Sequence, residues 1–103
     1  MSPIIMLTTT EDRKQAERIA RSLVERRLVA CAQISEIDTF FRWDGAVQHE
    51  GEFRLLLKTT EARYAEVEAA IRELHNYEVP AILSLPVSQI HAPFADWIAE
   101  STL

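Results

Sequence analysis

Glycine is scarce: Gly45 and Gly51 are the only two among 103 residues. A dinucleotide-binding turn or a phosphate-cradling P-loop needs several glycines at fixed spacing, because the backbone itself must approach the phosphates. Both are excluded. Cysteine is scarcer still, with Cys31 alone, so neither an intramolecular disulfide nor a cysteine cage for zinc is available. No run approaches the ~18 consecutive apolar residues of a membrane span. Positive charge is also in short supply: the formal net charge is −5, and basic residues adjoin only in short pairs, Arg26–Arg27 and Arg13–Lys14. Nucleic acid and anionic membrane are therefore not expected as partners. The first residues, Met1-Ser2-Pro3, show no basic start, long apolar segment or small-residue cleavage site. The expectation is a soluble, cytoplasmic protein.

What is present suits a packed core. With 48% hydrophobic and 26% charged residues, wholesale disorder is excluded, and the length fits a single domain over residues 1–103. Ile4-Ile5-Met6-Leu7-Thr8 reads as a buried strand. Thr9 or Thr10 is placed to cap the following helix, and Glu11 and Asp12 suit its positive end. Ala16, Ile19, Ala20, Leu23 and Val24 recur at helical spacing and form one apolar stripe. From Val29 to Ile34 the chain is again strand-like. Alternation then resumes in the other phase at Ile37, Thr39, Phe41 and Trp43, which predicts a bulge or bend near Ser35. Asp44-Gly45 marks a tight hairpin turn, and the return arm runs from about Val47 to Thr59. A hairpin with arms of roughly 12 residues is about twice the usual strand length. In so small a domain such a hairpin is expected to project beyond its own sheet and to need a partner.

Thr60 is placed to cap a second helix, whose stripe is Tyr64, Val67, Ala70, Ile71 and Leu74. A last main strand spans Ala81 to Val87, with Pro86 predicted at an edge or bend because it cannot donate to a ladder. Ala92 to Ile98 reads as a short helix docked by Phe94, Trp97 and Ile98. The expected fold class is α+β: a ferredoxin-like β-α-β-β-α-β domain with a long hairpin between its second and third strands. Its antiparallel sheet carries both main helices on one face.

The segments Ala30-Cys31, Phe41-Arg42-Trp43-Asp44-Gly45, Glu52, Lys58-Thr59-Thr60, His75-Asn76-Tyr77-Glu78-Val79-Pro80 and Leu85-Pro86-Val87 resemble the CutA family in order and spacing. The resemblance runs from Ile4 to Trp97. It implies a homotrimer of ferredoxin-like subunits whose long hairpins pair between neighbours, and a link to tolerance of divalent metals, copper above all. Family members credited with copper binding carry Cys at the place of Thr8 and a His-His pair at the place of Leu74–His75. Here only His75 remains. Asn76, Ala81 and Phe41 also stand where Pro, Glu and Tyr are usual.

Clefts between subunits are natural ligand sites. Trp43, Glu52, Lys58, His75 and Tyr77 are expected near such a cleft, with His75 the candidate ligand for a divalent metal such as copper. Each has a plainer reading. His75 suits a helix C-terminus as a cap; Trp43 suits a core or interface anchor, as does Trp97. Lys58 forms either a buried ion pair at a subunit boundary, with Glu52, or a stem whose head reaches solvent. His49, near Glu50 and Glu52, reads as a solvated strand face, His91 as an exposed loop residue, and Cys31 as a small buried hydrophobe without a cationic neighbour.

Four function classes follow. The favoured one is a non-enzymatic trimer that binds a metal ion or small ligand and signals or buffers it. A scaffold that presents surfaces to another protein is the alternative. An acylphosphatase-like enzyme shares the topology, but its phosphate loop would fall at Thr8-Thr9-Thr10-Glu11-Asp12, where the acidic residues repel phosphate. An RNA-recognition domain needs stacking aromatics on its first and third strands. Strand one has none.

Overall fold

The first strand shows how one short run serves two layers. In β1 (Pro3–Thr10) the side chains of Ile4, Met6, Thr8 and Thr10 are buried, while Ile5, Leu7 and Thr9 between them are half-buried. Successive strand residues point to opposite faces, so two helices cover one set and the other is left on an open face. The computed structural model describes residues 2–102. After β1 come α1 (Arg13–Glu25), β2 (Cys31–Trp43), β3 (Ala46–Thr60), α2 (Tyr64–Leu74, entered by a 3-10 turn Glu61–Arg63), β4 (Leu83–Pro86) and α3 (Ala92–Ser101).

The sheet order is β2-β3-β1-β4 with every pairing antiparallel. This is the ferredoxin-like arrangement the pattern predicts. Ala16, Ile19 and Leu23 of α1 and Val67, Ala70 and Ile71 of α2 close over Ile4, Met6, Leu55 and Leu57. Removing one of the larger of these side chains, such as Ile19 or Leu23, costs about 2–5 kcal/mol through lost transfer energy and the cavity left behind. Val24 is 41% exposed and does not join this stripe. The cap of α1 is Asp12, whose carboxylate accepts the Gln15 backbone N–H at 2.7 Å. Neither Thr9 nor Thr10 takes that role, because both still belong to β1.

The hairpin is longer than the sequence suggests, with 13 residues in β2 and 15 in β3. Asp44 and Gly45 turn it with φ of 53° and 74°, the left-handed pair that a primed two-residue turn requires. No bulge forms. The register from Cys31↔Lys58 to Trp43↔Ala46 is unbroken. The apolar set changes sides because the distal hairpin extends beyond the helices, so no covered face demands a constant phase there. Ala32 and Ile34 share the helix-covered side with Leu57 and Leu55. Ile37, Phe41 and Trp43 point to the open side, on the same parity as Glu52 and Leu56.

β4 is shorter than expected and forms a sheet edge, which accommodates Pro86. On α3 only Ile98 is buried; Phe94 and Trp97 stack on each other at 5.6 Å and stay 37% and 42% exposed. Arg27 ties this helix down, donating through its guanidinium to the carbonyls of Glu100 and Ser101. No described helix is long and apolar enough to cross a membrane.

Candidate functional site

The open face of the distal hairpin meets the segment that follows α2, and a cleft of about 480 Å³ lies between them. Phe41 and Trp43 of β2 line it, with Glu50 and Glu52 of β3 and Tyr77 and Glu78 of the segment. Alternation on the two strands explains the gathering: Thr39, Phe41 and Trp43 share a side with their partners Glu50, Gln48 and Ala46.

Glu52 is the centre of the site. It is 8% exposed, unusual for a carboxylate, and its Oε2 accepts the Tyr77 hydroxyl at 2.9 Å. None of the ion pairs among the described residues involves it. Burial raises the Tyr77 phenol well above its ordinary value, and the Glu52 bond and the charges of Glu52, Glu11 and Glu50 raise it further. The hydroxyl thus stays a donor, and three carboxylates converge on it electrostatically. Glu11 is steadied by Asn76, whose Nδ2 donates to its carboxylate at 2.7 Å.

His75 holds the wall of the cleft in place. Its ring lies 4.7 Å from that of Tyr77. Nε2 faces the Thr9 carbonyl at 2.7 Å, and Nδ1 faces the Tyr77 backbone N–H at 3.0 Å. A carbonyl only accepts and an N–H only donates, so Nε2 carries the proton and Nδ1 offers its lone pair. The side chain therefore spans the end of β1 and the Tyr77 segment; the expected cap on the helix end is made by its backbone instead, whose N–H donates to the Ile71 carbonyl.

Of the residues singled out in the sequence, Trp43, Glu52 and Tyr77 share the cleft, and His75 sits directly behind Tyr77. Lys58 stands apart. Six residues along the same strand from Glu52, it is roughly 20 Å away at ~3.4 Å per residue. Its ammonium lies 5.4 Å over the Phe94 ring. The register also sets Lys58 opposite Cys31, and the cysteine is half-buried rather than enclosed in the core as expected. His49 contacts Asp38 at 3.1 Å and stacks on Phe40, away from the cleft on the other side of the hairpin. His91 is exposed, as expected. Glu11, Glu50 and Glu78 are not among the residues the sequence places at a cleft. They come from three separate segments, and only the closure of the Tyr77 segment onto the hairpin brings them together.

The residues present do not make a metal centre within one chain. Among the described residues no group of three His, Cys, Asp or Glu side chains is arranged to hold an ion. Both nitrogens of His75 are already committed. Thr8 faces the core, where its hydroxyl is buried without a hydrogen-bond partner.

Comparison with known proteins defines the relationship. Residues 4–101 match the family described as CutA1 divalent ion tolerance protein. The divalent-cation tolerance protein CutA of Pyrococcus horikoshii is 36% identical over 99 residues, covering 96% of this chain and 97% of that protein. Protein CutA of Homo sapiens is 33% identical over 95 residues, covering 91% of this chain and 53% of that protein. The crystal structure of CutA1 from Pyrococcus horikoshii superposes with a TM-score of 0.93 at 35% identity, covering 97% of this chain and 98% of that one. The structure of the periplasmic divalent cation tolerance protein CutA from Archaeoglobus fulgidus gives 0.94 at 34% identity, with 96% and 97% covered. That periplasmic relative overturns the cytoplasmic expectation, which rested only on the lack of a leader pattern at the first residues. The open-faced sheet, the long hairpin and near-complete coverage agree, and the chain belongs to the CutA1 divalent ion tolerance family.

Proposed function

We propose that the protein serves divalent-metal tolerance without catalysing a reaction, as a homotrimer that binds a cation or small ligand in the Glu52–Tyr77 cleft. The observation that carries this reading is the buried Glu52 carboxylate, which has a phenol as its donor and no cation beside it. A charge buried in this way is stabilised by bringing an opposite charge to it.

Trimer formation is supported by surfaces that a single chain leaves uncovered. Leu83 and Leu85 are 44% and 49% exposed on the open side of the sheet, and Trp43 is 57% exposed at the hairpin end. Both outer strands, β2 and β4, also have an unpaired edge, a feature that invites strand pairing between copies. In the trimer a neighbouring copy closes over each cleft, whose own lining holds no Lys or Arg. Copper is the finer form of the reading, and His75 joins its coordination only by giving up one of its two hydrogen bonds. A scaffold role without ligand is the alternative, favoured by the exposed Phe40 and Val47 on the other side of the hairpin.

Light scattering combined with calorimetric titration of copper(II) tests the proposal. A mass near three times 11.8 kDa, with copper binding that weakens in Glu52→Gln, is the expected result. A monomer at all concentrations removes the trimer. A trimer that binds no cation leaves the scaffold reading.

A further inference from the structure

The cleft combines two features that a metal site does not need together. Its walls include three aromatic side chains, Phe41, Trp43 and Tyr77, and none of its lining residues is Lys or Arg. Glu11, Glu50, Glu52 and Glu78 line the same space, yet they are not grouped closely enough to chelate an ion. Converging ligands at short distances are what a small metal ion demands. A large, weakly hydrated cation demands the opposite: aromatic faces within about 6 Å and a diffuse negative field. At about 480 Å³ the cleft also exceeds what an ion occupies and lies in the size range of small-molecule pockets.

We infer that the Phe41–Trp43–Tyr77 cleft binds an organic ammonium group, held by its aromatic walls and by Glu52. This rests on the reading of the cleft as a ligand site and names the class of ligand. Phe41 and Trp43 stand two residues apart on one side of β2, so their rings share a wall. Tyr77 lines the same cleft, fixed by its hydroxyl bond to Glu52 and by the His75 contact. Glu52 lines the cleft at 8% exposure, where reduced solvation strengthens its attraction for a cation. Arg54, two positions along the same side of β3, forms no ion pair with Glu52 among the described residues and lies outside the cleft lining.

The probe is tetramethylammonium chloride, titrated into the assembled protein and followed by the fluorescence of Trp43 in a Trp97→Phe background. Saturable quenching by tetramethylammonium is expected, with none from neopentyl alcohol, its neutral counterpart of similar shape. Glu52→Gln is expected to weaken binding about tenfold, and Phe41→Leu by roughly 3- to 30-fold. Glu50→Gln, on an exposed position, is a second charge variant that leaves folding intact and is expected to weaken binding severalfold. Equal binding of the neutral probe, or unchanged affinity in both charge variants, overturns the inference. Copper(II) titrated in parallel separates the two readings. Copper binding without ammonium binding removes this inference and leaves the proposed function standing, whereas binding of neither removes both.

Discussion

The His75 imidazole accepts the Tyr77 backbone N–H on Nδ1 at 3.0 Å while its Nε2 donates to the Thr9 carbonyl at 2.7 Å. One ring thus joins the end of the central strand to the segment that carries the cleft wall. Replacing it with Ala leaves a donor and an acceptor without partners in a half-buried place. His75→Ala is expected to lose about 1–3 kcal/mol of stability, measured by urea denaturation. Trp43 fluorescence should redshift as the wall loosens. An unchanged midpoint would show that the ring bears no structural role.

Tyr77 and Glu52 predict an alkaline signature. The folded state holds the phenol protonated above its ordinary value of 10.0. The unfolded chain therefore releases the proton first as pH rises. The contribution is fully present below pH ~10 and is lost as pH climbs beyond it. Urea midpoints recorded from pH 8 upward should fall above pH ~10 and fall less steeply in Tyr77→Phe. That variant also leaves the buried carboxylate without its donor, costing about 1–3 kcal/mol at neutral pH. Equal slopes in the two proteins would assign the alkaline loss to other groups.

Thr8 carries a hydroxyl that is buried with no partner. Val has nearly the same shape without the polar atom, and an unsatisfied buried group costs about 1–3 kcal/mol. Thr8→Val should therefore raise stability by about 1 kcal/mol, visible as a higher thermal midpoint. Destabilisation instead would mean that the hydroxyl has a partner in solution.

The two glycines should behave differently. Gly45 has φ of +74°, and a Cβ there meets nothing within 4 Å. The cost of Gly45→Ala is then backbone strain alone, about 1–2 kcal/mol. Gly51 has the same open space without the positive φ, and Gly51→Ala should gain roughly 0.4–1 kcal/mol by restricting the unfolded chain. Paired denaturation curves check both signs.

Local signals in the sequence were reliable where a covered face enforced them. The stripe of Ala16, Ile19 and Leu23 and the alternation of β1 follow directly from the two helices lying on one side of the sheet. The Asp44-Gly45 turn was equally legible, since its backbone geometry admits few residues. The change of phase at Ser35 was visible too, but its cause was not. An unbroken hairpin that runs on beyond the helices explains it as well as a bulge does, and only the register decides. Trp43, Glu52 and Tyr77 could be singled out through family likeness, whereas nothing local to Glu11, read as a helix-start residue, or to Glu78 pointed to a shared cleft. Lys58 shows the limit from the other direction. It shares a strand and a side with Glu52, yet the rise of an extended chain keeps the two apart.

The order of pairing along the sheet has a consequence for how the chain folds. β2 and β3 adjoin through a two-residue turn and can zip outward from Asp44-Gly45 on the microsecond scale of hairpins. β1 occupies the interior of the sheet, but both of its neighbours come later in the chain, and its pairing with β4 joins residues as distant as Ile4 and Pro86. Closing that loop is the slow, entropically expensive event. Until it happens, a finished hairpin waits with its apolar side open, so refolding yield should fall as protein concentration rises.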